Sequence, residues 1–275
     1  MSVALALVLA LSAQKEFEAW NRPIEPFRVI ANIHYVGVAG LSSFLITTPE
    51  GHILIDSALP ESVPHIRAGV EKLGFRFGDI KVLLASHAHI DHVGGHAQMK
   101  ELTGAQVMAM GKDAAVIESG GKGDFLFEGE FSWKPCKVDR VLKDKDTVSL
   151  GGITLTARWT PGHTKGCTTW TTVIEDGGRK LDVVLIGGTN IVRDTKVSGM
   201  PKYPEIEADY RRTFEVLKSL RCDVFLAPHP FQFGMEEKLK KLGAGANPFI
   251  DPEGYRARVD NAEKAFMRRL DGERK

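Results

Sequence analysis

The sequence has almost no net charge, and this excludes a first class of function. Its 36 Lys and Arg residues face 35 Asp and Glu residues, so the formal charge is +1. A nucleic-acid-binding domain would carry a basic face or stripe. The basic end of the chain, MRRLDGERK, also contains acidic residues and indicates the solvated end of a helix. We therefore expect no nucleic-acid partner.

Cysteine is scarce. The chain has Cys136, Cys167 and Cys222, and no two of them stand at the C-x-x-C spacing of a zinc ribbon. An odd number also leaves at least one thiol unpaired within a single chain. The cysteines therefore predict neither a disulfide framework nor a cysteine-based metal site.

Several short catalytic and binding motifs are missing. The chain contains no G-x-x-x-x-G-K-[ST] sequence and no G-x-G-x-x-G after a strand, which argues against nucleotide binding. It also lacks the G-x-S-x-G turn that presents the nucleophile of many serine hydrolases.

Long hydrophobic runs are absent except at the N-terminus. The segment from Val3 to Leu11 is apolar but too short to span a bilayer, and it fits the core of a signal peptide. The alternative is an ordinary buried strand or helix end. We expect residues 1–13 to be a signal peptide, residues 14–275 to form one domain, and the mature protein to be periplasmic and without membrane contact.

Short apolar runs separated by Gly and Pro predict strands in the first half of the chain. SSFLITTPEGHILIDS reads as two strands around a turn, and DIKVLLAS as a buried strand. A helix is predicted after Pro60, and a long loop from Gly120 to Pro135. Later, ITLTARW, LDVVLIGG and DVFLA are further strands, with a helix around Phe214. This order of elements indicates mixed α/β layers.

One turn concentrates metal-binding side chains. SHAHIDHVGG, residues 86–95, follows the predicted strand DIKVLLAS and carries His87, His89, Asp91 and His92. Neutral imidazole and carboxylate are the usual ligands of Zn(II). One ion cannot easily take all four from so short a turn, whereas two ions ~3.5–4 Å apart form a clamp for hydrolysis.

Further histidines follow two other predicted strands. WTPGHTKG presents His163 and FLAPHP presents His229, each in a tight turn. Loops at strand ends are where rigid scaffolds carry catalytic groups. The remaining histidines lack this context, and we expect them to be structural or exposed: His34, His52, His65 and His96.

These motifs resemble those of a known family. H-x-H-x-D-H, a His in T-P-G-H-T and a late His at a strand end are similar to the metallo-β-lactamase superfamily. AWNRPIEPFRVIANIHYVGVAGLSSFLI, TPGHTKGCTTW, YPEIEADYRRTF and DVFLAPHP resemble subclass B3 in particular. The resemblance implies an αβ/βα four-layer sandwich, with two mixed β-sheets flanked by helices and two zinc ions at one edge.

The resemblance also assigns the site. It implies a first zinc held by His87, His89 and His163, and a second held by Asp91, His92 and His229. Asp56 would support the ligands without binding metal, although an Asp at this turn could also be a simple cap. Thr189, Asn190 and Arg193 stand where substrate contacts are expected, and Ile191 replaces a usual serine.

The implied reaction is opening of the β-lactam ring of penicillins, cephalosporins or carbapenems. Zinc lowers the pKa of bound water to about 7, so that metal-bound hydroxide can attack the lactam carbonyl. Asp91 would orient this hydroxide and act as the catalytic carboxylate. The partner implied is the small-molecule lactam, and the sequence leaves open whether there is a protein partner.

Three alternatives remain. The first is another hydrolase of the superfamily, a glyoxalase II-like thioesterase or a lactonase; many of these use an acidic metal bridge, which VLIGGTN does not offer. The second is a di-iron redox protein, which usually has a Glu in the first motif. The third is a non-catalytic zinc module, whose site would be closed by four ligands.

Overall fold

Two β-sheets form the centre of the computed structural model, which describes residues 15–192 and 194–275. The first sheet has seven strands whose order in the sheet is also their order in the chain. The three pairs among the first four strands are antiparallel and the three pairs from the fourth strand to the seventh are parallel, so the sheet is mixed. Its strands are β1 (Phe27–Ile30), β2 (Ile33–Tyr35), β3 (Phe44–Thr48), β4 (Gly51–Ile55), β5 (Ile80–Leu84), β6 (Gln106–Met110) and β7 (Arg140–Leu142).

The second sheet has five strands in the order β12-β11-β10-β9-β8. They are β8 (Thr147–Leu150), β9 (Ile153–Trp159), β10 (Thr168–Asp176), β11 (Arg179–Leu185) and β12 (Val224–Leu226). Neighbours are antiparallel except for β11 and β12, which are parallel. The second sheet is therefore also mixed.

Helices cover the outer faces of the sheets. They are α1 (residues 15–20), α2 (Val63–Lys72), α3 (Ile90–Val93), α4 (His96–Thr103), α5 (Gly111–Ser119), α6 (Ile206–Ser219), α7 (Met235–Lys241) and α8 (Pro252–Glu273). One apolar cluster joins the two sheets to each other and to α6 and α8, and a second packs α2, α4 and α5 on the first sheet. The predicted four-layer αβ/βα sandwich is confirmed.

Alternation along the strands explains this layering. In β4, Ile53 and Ile55 belong to the cluster between the sheets, whereas Leu54 belongs to the cluster under the helices. Successive side chains of a strand point to opposite faces, so a strand that is apolar on both faces must be covered on both. The continuous apolar run ILI, residues 53–55, thus requires a layer on each side.

The predicted elements agree with the observed ones. The hairpin of β3 and β4, the strands β5, β9, β11 and β12, and the helices α2 and α6 all lie where the patterns place them. Residues 120–135 contain turns but no helix or strand, as expected for a loop. No helix within residues 15–192 and 194–275 has both the length and the apolar character needed to cross a bilayer. The predicted signal peptide, residues 1–13, lies outside the described residues.

Candidate metal centre

Three loops carry the candidate ligands, and each follows the carboxyl end of a strand. The motif with His87 follows β5, His163 follows β9, and His229 follows β12. The loops meet at one edge of the two sheets. Their side chains form two groups whose ligand atoms lie within 4.8 Å of one another: His87, His89 and His163, and Asp91, His92 and His229.

The first group is buried. His87 is 2% exposed, and the Nε2 atoms of His87 and His163 lie 3.2 Å apart. The ring centroid of His89 lies 4.9 Å from that of His87 and 4.7 Å from that of His163. Three imidazoles therefore converge on one small volume, which is the arrangement that a tetrahedral ion with one open position needs.

The second group adjoins the first. Oδ2 of Asp91 lies 3.2 Å from Nε2 of His92 and 3.6 Å from Nε2 of His229. The rings of His87 and His92 are 4.1 Å apart between centroids, so the groups share a boundary. Each group combines ligands from the loop after β5, in the first sheet, with a histidine from the second sheet.

The outward ring nitrogens of two ligands, His163 and His229, are held by backbone carbonyls. Nδ1 of His163 lies 2.6 Å from the carbonyl oxygen of Asn190, and Nδ1 of His229 lies 3.0 Å from that of Gly40. A neutral imidazole that donates from Nδ1 keeps the lone pair of Nε2 for a metal. The protein thus fixes both the tautomer and the orientation of these rings.

Asp56 lies directly behind the ligands. Its carboxylate accepts hydrogen bonds from the amide of Ser86 at 2.7 Å and from the hydroxyl of Ser86 at 2.6 Å. Its Oδ2 also lies 3.3 Å from Nδ1 of His92. The residue has a φ of 62°, a left-handed conformation that Asp tolerates better than most residues. This strained turn brings the carboxylate to the start of the metal-binding motif.

The electrostatics of the first group favour neutral histidines. Burial lowers the pKa of His87 well below its usual range, that of His89 to about 4 and that of His163 to about 3. Burial does the same to His229, whose pKa falls to about 4. Neutral imidazole is the form that binds metal.

In the second group His92, unlike His229, favours its charged form. Burial disfavours a charged His92, but the carboxylates of Asp91 and Asp56 outweigh it and raise its pKa to about 10. Nε2 of His89 and both ring nitrogens of His92 are buried and have no hydrogen-bond partner among the described residues. The ring nitrogens of His92 face the carboxylates of Asp56 and Asp91, at 3.3 and 3.2 Å, and imidazole nitrogens beside carboxylates are a donor set that a divalent ion such as zinc accepts.

A carboxylate that the sequence patterns did not single out joins two of the loops. Asp113, on α5, accepts hydrogen bonds from the amide of Ala88 at 2.8 Å, the hydroxyl of Thr164 at 2.6 Å and the amide of Gly166 at 2.7 Å. Ala88 lies between two ligands and Thr164 follows a third. The only sequence signal for Asp113 would have been an acid near the start of a helix, which is common.

Aromatic rings lie beside two of the candidate ligands. Trp20 packs against His229 at 5.3 Å between ring centroids, and Phe127 packs against His89 at 5.3 Å. Phe231 lies 5.4 Å from His229 and is 67% exposed. These rings form an apolar rim beside the candidate ligands, as substrate pockets commonly do.

The predicted substrate residues lie in the loop that follows β11. Thr189 is buried and Asn190 half-buried, and both accept hydrogen bonds from Arg258. Arg193 lies outside the described residues. In the same loop, a Cβ on Gly188 would lie 2.0 Å from Cδ2 of His163, so the close approach of loop and ligand requires glycine there.

The other histidines lie apart from both groups. The rings of His34 and His52 pack against Phe75, and Nδ1 of His96 lies 2.7 Å from the hydroxyl of Ser57. His65 is half-buried on α2. The two groups therefore contain all the histidines that the strand-end pattern selected.

Comparisons with known proteins agree with this geometry. The model of the metallo-beta-lactamase superfamily matches residues 36–229. The native FEZ-1 metallo-beta-lactamase from Legionella gormanii is 42% identical, with a TM-score of 0.90 over 92% of this chain and 98% of that one. BJP-1, a subclass B3 metallo-beta-lactamase of Bradyrhizobium japonicum, is 40% identical, with a TM-score of 0.87 over 93% of this chain and 97% of that one.

Curated relatives match over shorter regions. A probable metallo-hydrolase of Burkholderia pseudomallei is 31% identical over 40% of this chain and 36% of its own length. A hydroxyacylglutathione hydrolase of Hyphomonas neptunium is 29% identical over 45% of this chain and 40% of its own length. The chain thus spans well under half the length of these two proteins.

Proposed function

The chain belongs to the metallo-β-lactamase superfamily, and we propose that it is a zinc-dependent hydrolase that opens the β-lactam ring of penicillins, cephalosporins and carbapenems. One observation carries the proposal: two adjoining groups of three ligands each lie at the edge where the sheets meet. The identity of about 40% with subclass B3 enzymes over almost the whole chain supports the lactam as substrate.

The protein's own part in the reaction is to hold two ions with open positions. The first group would hold one zinc and the second group the other. When bound, zinc supplies a water-derived nucleophile at neutral pH and positive charge for the substrate carbonyl oxygen. The carbonyls of Asn190 and Gly40 orient the rings of His163 and His229. Asp56 does the same for His92.

Oδ1 of Asp91 has no close polar contact within the part of the chain that the structure describes. Both close contacts of Asp91 with His92 and His229 involve Oδ2. We therefore propose that Oδ1 orients the attacking water and receives its proton as the C–O bond forms, and that this proton passes to the lactam nitrogen as the C–N bond breaks. Because the water comes from solvent and the acid–base group is a carboxylate, the reaction needs no covalent acyl-enzyme.

We assign the substrate contacts to the rim and to the loop after β11. The apolar rim of Trp20, Phe127 and Phe231 suits the side chains of a lactam antibiotic. The hydroxyl of Thr189 and the amide of Asn190 would contact the substrate carboxylate, and Arg193 remains a candidate for the same contact.

A thioesterase of the glyoxalase II type is the second candidate. The similarity to a hydroxyacylglutathione hydrolase favours it. However, the strand β11 is followed by Ile186, Gly187 and Gly188, which provide no acidic side chain to bridge two ions. The lactam is therefore the substrate that we propose first.

A direct assay separates the two candidates. Purified protein would be loaded with zinc and tested against a penicillin, a cephalosporin, a carbapenem, a thioester and a lactone. We expect hydrolysis of at least one lactam, and loss of that activity in His163→Ala but not in His65→Ala. Hydrolysis of the thioester or the lactone, with every lactam intact, would replace the proposed function by the second candidate.

We also propose that the protein is exported to the periplasm, as a lactamase that protects a cell would be. The apolar segment from Val3 to Leu11 supports this. Secreted material should begin near Ala13 or Gln14, and the expressing host should tolerate higher lactam concentrations. Periplasmic protein that retains Met1 would disprove processing.

A further inference from the structure

Arg258 reaches from the last helix, α8, to the loop that follows β11. Its Nη2 donates hydrogen bonds to Oδ1 of Asn190 at 2.7 Å and to the hydroxyl oxygen of Thr189 at 3.0 Å. The side chain is partly buried, and its Nε has no hydrogen-bond partner among the described residues. The ion pairs found among residues 15–192 and 194–275 do not include it. Its fixed contacts are therefore with this loop.

Asn190 connects Arg258 to a metal ligand. While its side chain accepts from Arg258, its carbonyl oxygen lies 2.6 Å from Nδ1 of His163. The same carbonyl accepts a hydrogen bond from the hydroxyl of Tyr210 at 3.0 Å. A guanidinium only donates hydrogen bonds, so it fixes which way the amide of Asn190 points. The position of this single residue thus affects the orientation of the His163 ring.

We propose that Arg258 is a positioning residue for the first group of ligands. Its two charge-assisted hydrogen bonds hold the loop, so that the carbonyl of Asn190 meets Nδ1 of His163 and Nε2 of His163 faces His87. The inference rests on the proposed function, since it assumes that His163 binds zinc. Partners that orient a ligand from behind typically change metal affinity 10–100-fold when removed.

The matched experiment compares Arg258→Met with Arg256→Met. Arg256 lies on the same helix two residues earlier and is exposed, and none of the hydrogen bonds or ion pairs within residues 15–192 and 194–275 joins it to the loop. Both substitutions remove one positive charge and keep a long side chain. Each would be made in two full-length backgrounds: His229→Ala, which leaves the first group intact, and His163→Ala, which leaves the second group intact.

The measurement is zinc affinity by competition with a chelator, so it does not depend on any substrate. In the His229→Ala background we expect Arg258→Met to weaken zinc binding by about tenfold, the lower end of the usual range, and Arg256→Met to change it little. In the His163→Ala background neither substitution should change zinc affinity, because His163, the residue through which Arg258 acts, is absent. Arg258→Lys, which keeps a donor, should restore part of the affinity.

Other outcomes would overturn the inference. Unchanged zinc affinity of Arg258→Met in the His229→Ala background would overturn it. Equally weakened zinc binding in both backgrounds, together with lower stability of the metal-free protein, would overturn it as well. A raised KM for lactams with unchanged zinc affinity would instead make Arg258 a direct substrate contact. Absence of zinc binding by the unmodified chain would refute the proposed function itself, which is a distinguishable result.

Discussion

The hydroxyl of Thr164 donates a hydrogen bond to the carboxylate of Asp113 at 2.6 Å, and this contact joins the loop of His163 to helix α5. The same carboxylate binds the amide of Ala88, between His87 and His89. One buried side chain therefore fixes the backbone beside all three members of the first group. Rigid support of this kind is what a catalytic metal site needs.

Replacing Asp113 by Ala should destabilise the protein and its metal site together. Three buried donors would lose their acceptor, and each unsatisfied group costs about 1–3 kcal/mol. We expect a loss of about 3 kcal/mol or more in the free energy of unfolding, measured with denaturant on metal-free protein. Asp176→Ala, at an exposed hairpin end, is the control. Equal stability of the two variants would contradict the role assigned to Asp113.

Asp113 should also affect how stability depends on pH. Burial raises the pKa of Asp113 from 3.8 to about 6, against the opposing effect of its three hydrogen bonds. The folded protein therefore binds this proton more tightly than the unfolded chain. The stabilisation of the fold by protonated Asp113 is complete below pH 3.8 and is lost as the pH rises to about 6. The free energy of unfolding should change over this range by an amount on the order of 3 kcal/mol. The free energy of unfolding of metal-free Asp113→Asn, measured with denaturant, should not show this decrease. The same dependence on pH in Asp113→Asn and in the unmodified protein would refute the prediction.

The metal prediction is two zinc ions per chain, from the two groups of three ligands. His163→Ala should remove mainly the first ion and His229→Ala mainly the second, and each change should reduce hydrolysis strongly because both ions act on one substrate. Elemental analysis after zinc loading measures the content, with His65→Ala as the control histidine. One ion or fewer in the unmodified protein would end the two-metal interpretation.

Asp56→Asn tests the support behind the second group. The substitution keeps a residue that tolerates the positive φ but removes the charge facing His92. Zinc affinity of the second group should fall by about 10–100-fold, measured by chelator competition in the His163→Ala background. Asp79→Asn, just before β5 and so at the opposite end of that strand from the ligands, should bind zinc like the unmodified protein. If Asp56 only caps a turn, both variants will behave alike.

Ile191→Ser tests the loop as a substrate contact. Ile191 packs at the edge of the apolar core, where relatives are expected to carry a hydroxyl. A hydrogen bond to a charged group contributes about 1.5–3 kcal/mol, so the new hydroxyl should lower KM for a lactam by about tenfold or more with kcat little changed. Ile191→Val, which shortens the side chain without adding a hydroxyl, is the control. An unchanged KM would remove this position from the substrate site.

The metal motif could be predicted because its signal is local. Each ligand follows an apolar strand, and strands with Val, Ile and Leu are recognisable from short stretches of sequence. His87, His163 and His229 therefore appear as one pattern repeated three times. The same short apolar stretches predict the layered fold, since strands that are apolar on both faces require a layer on each side.

Asp56 is expected behind the ligands from the family resemblance, but the other supporting residues could not be predicted, because their signal is tertiary. Arg258 and Asn190 are 68 positions apart and meet only because α8 packs beside the loop after β11. Asp113 looks like any acid in the first turn of a helix until Ala88 and Thr164 are seen to donate to it. Side chains that act through hydrogen bonds to backbone groups leave no spacing pattern in the sequence.

Each candidate ion draws ligands from both sheets, since the loop after β5 belongs to the first and the loops of His163 and His229 belong to the second. Such an ion is a cross-link between two halves of the chain. Free metal at a thousand times its dissociation constant stabilises a folded protein by about 4 kcal/mol. Zinc supply would then govern how long the protein survives proteases, because they cleave the transiently opened chain. A zinc-starved cell would therefore lose the protein itself, by proteolysis, as well as its catalytic activity.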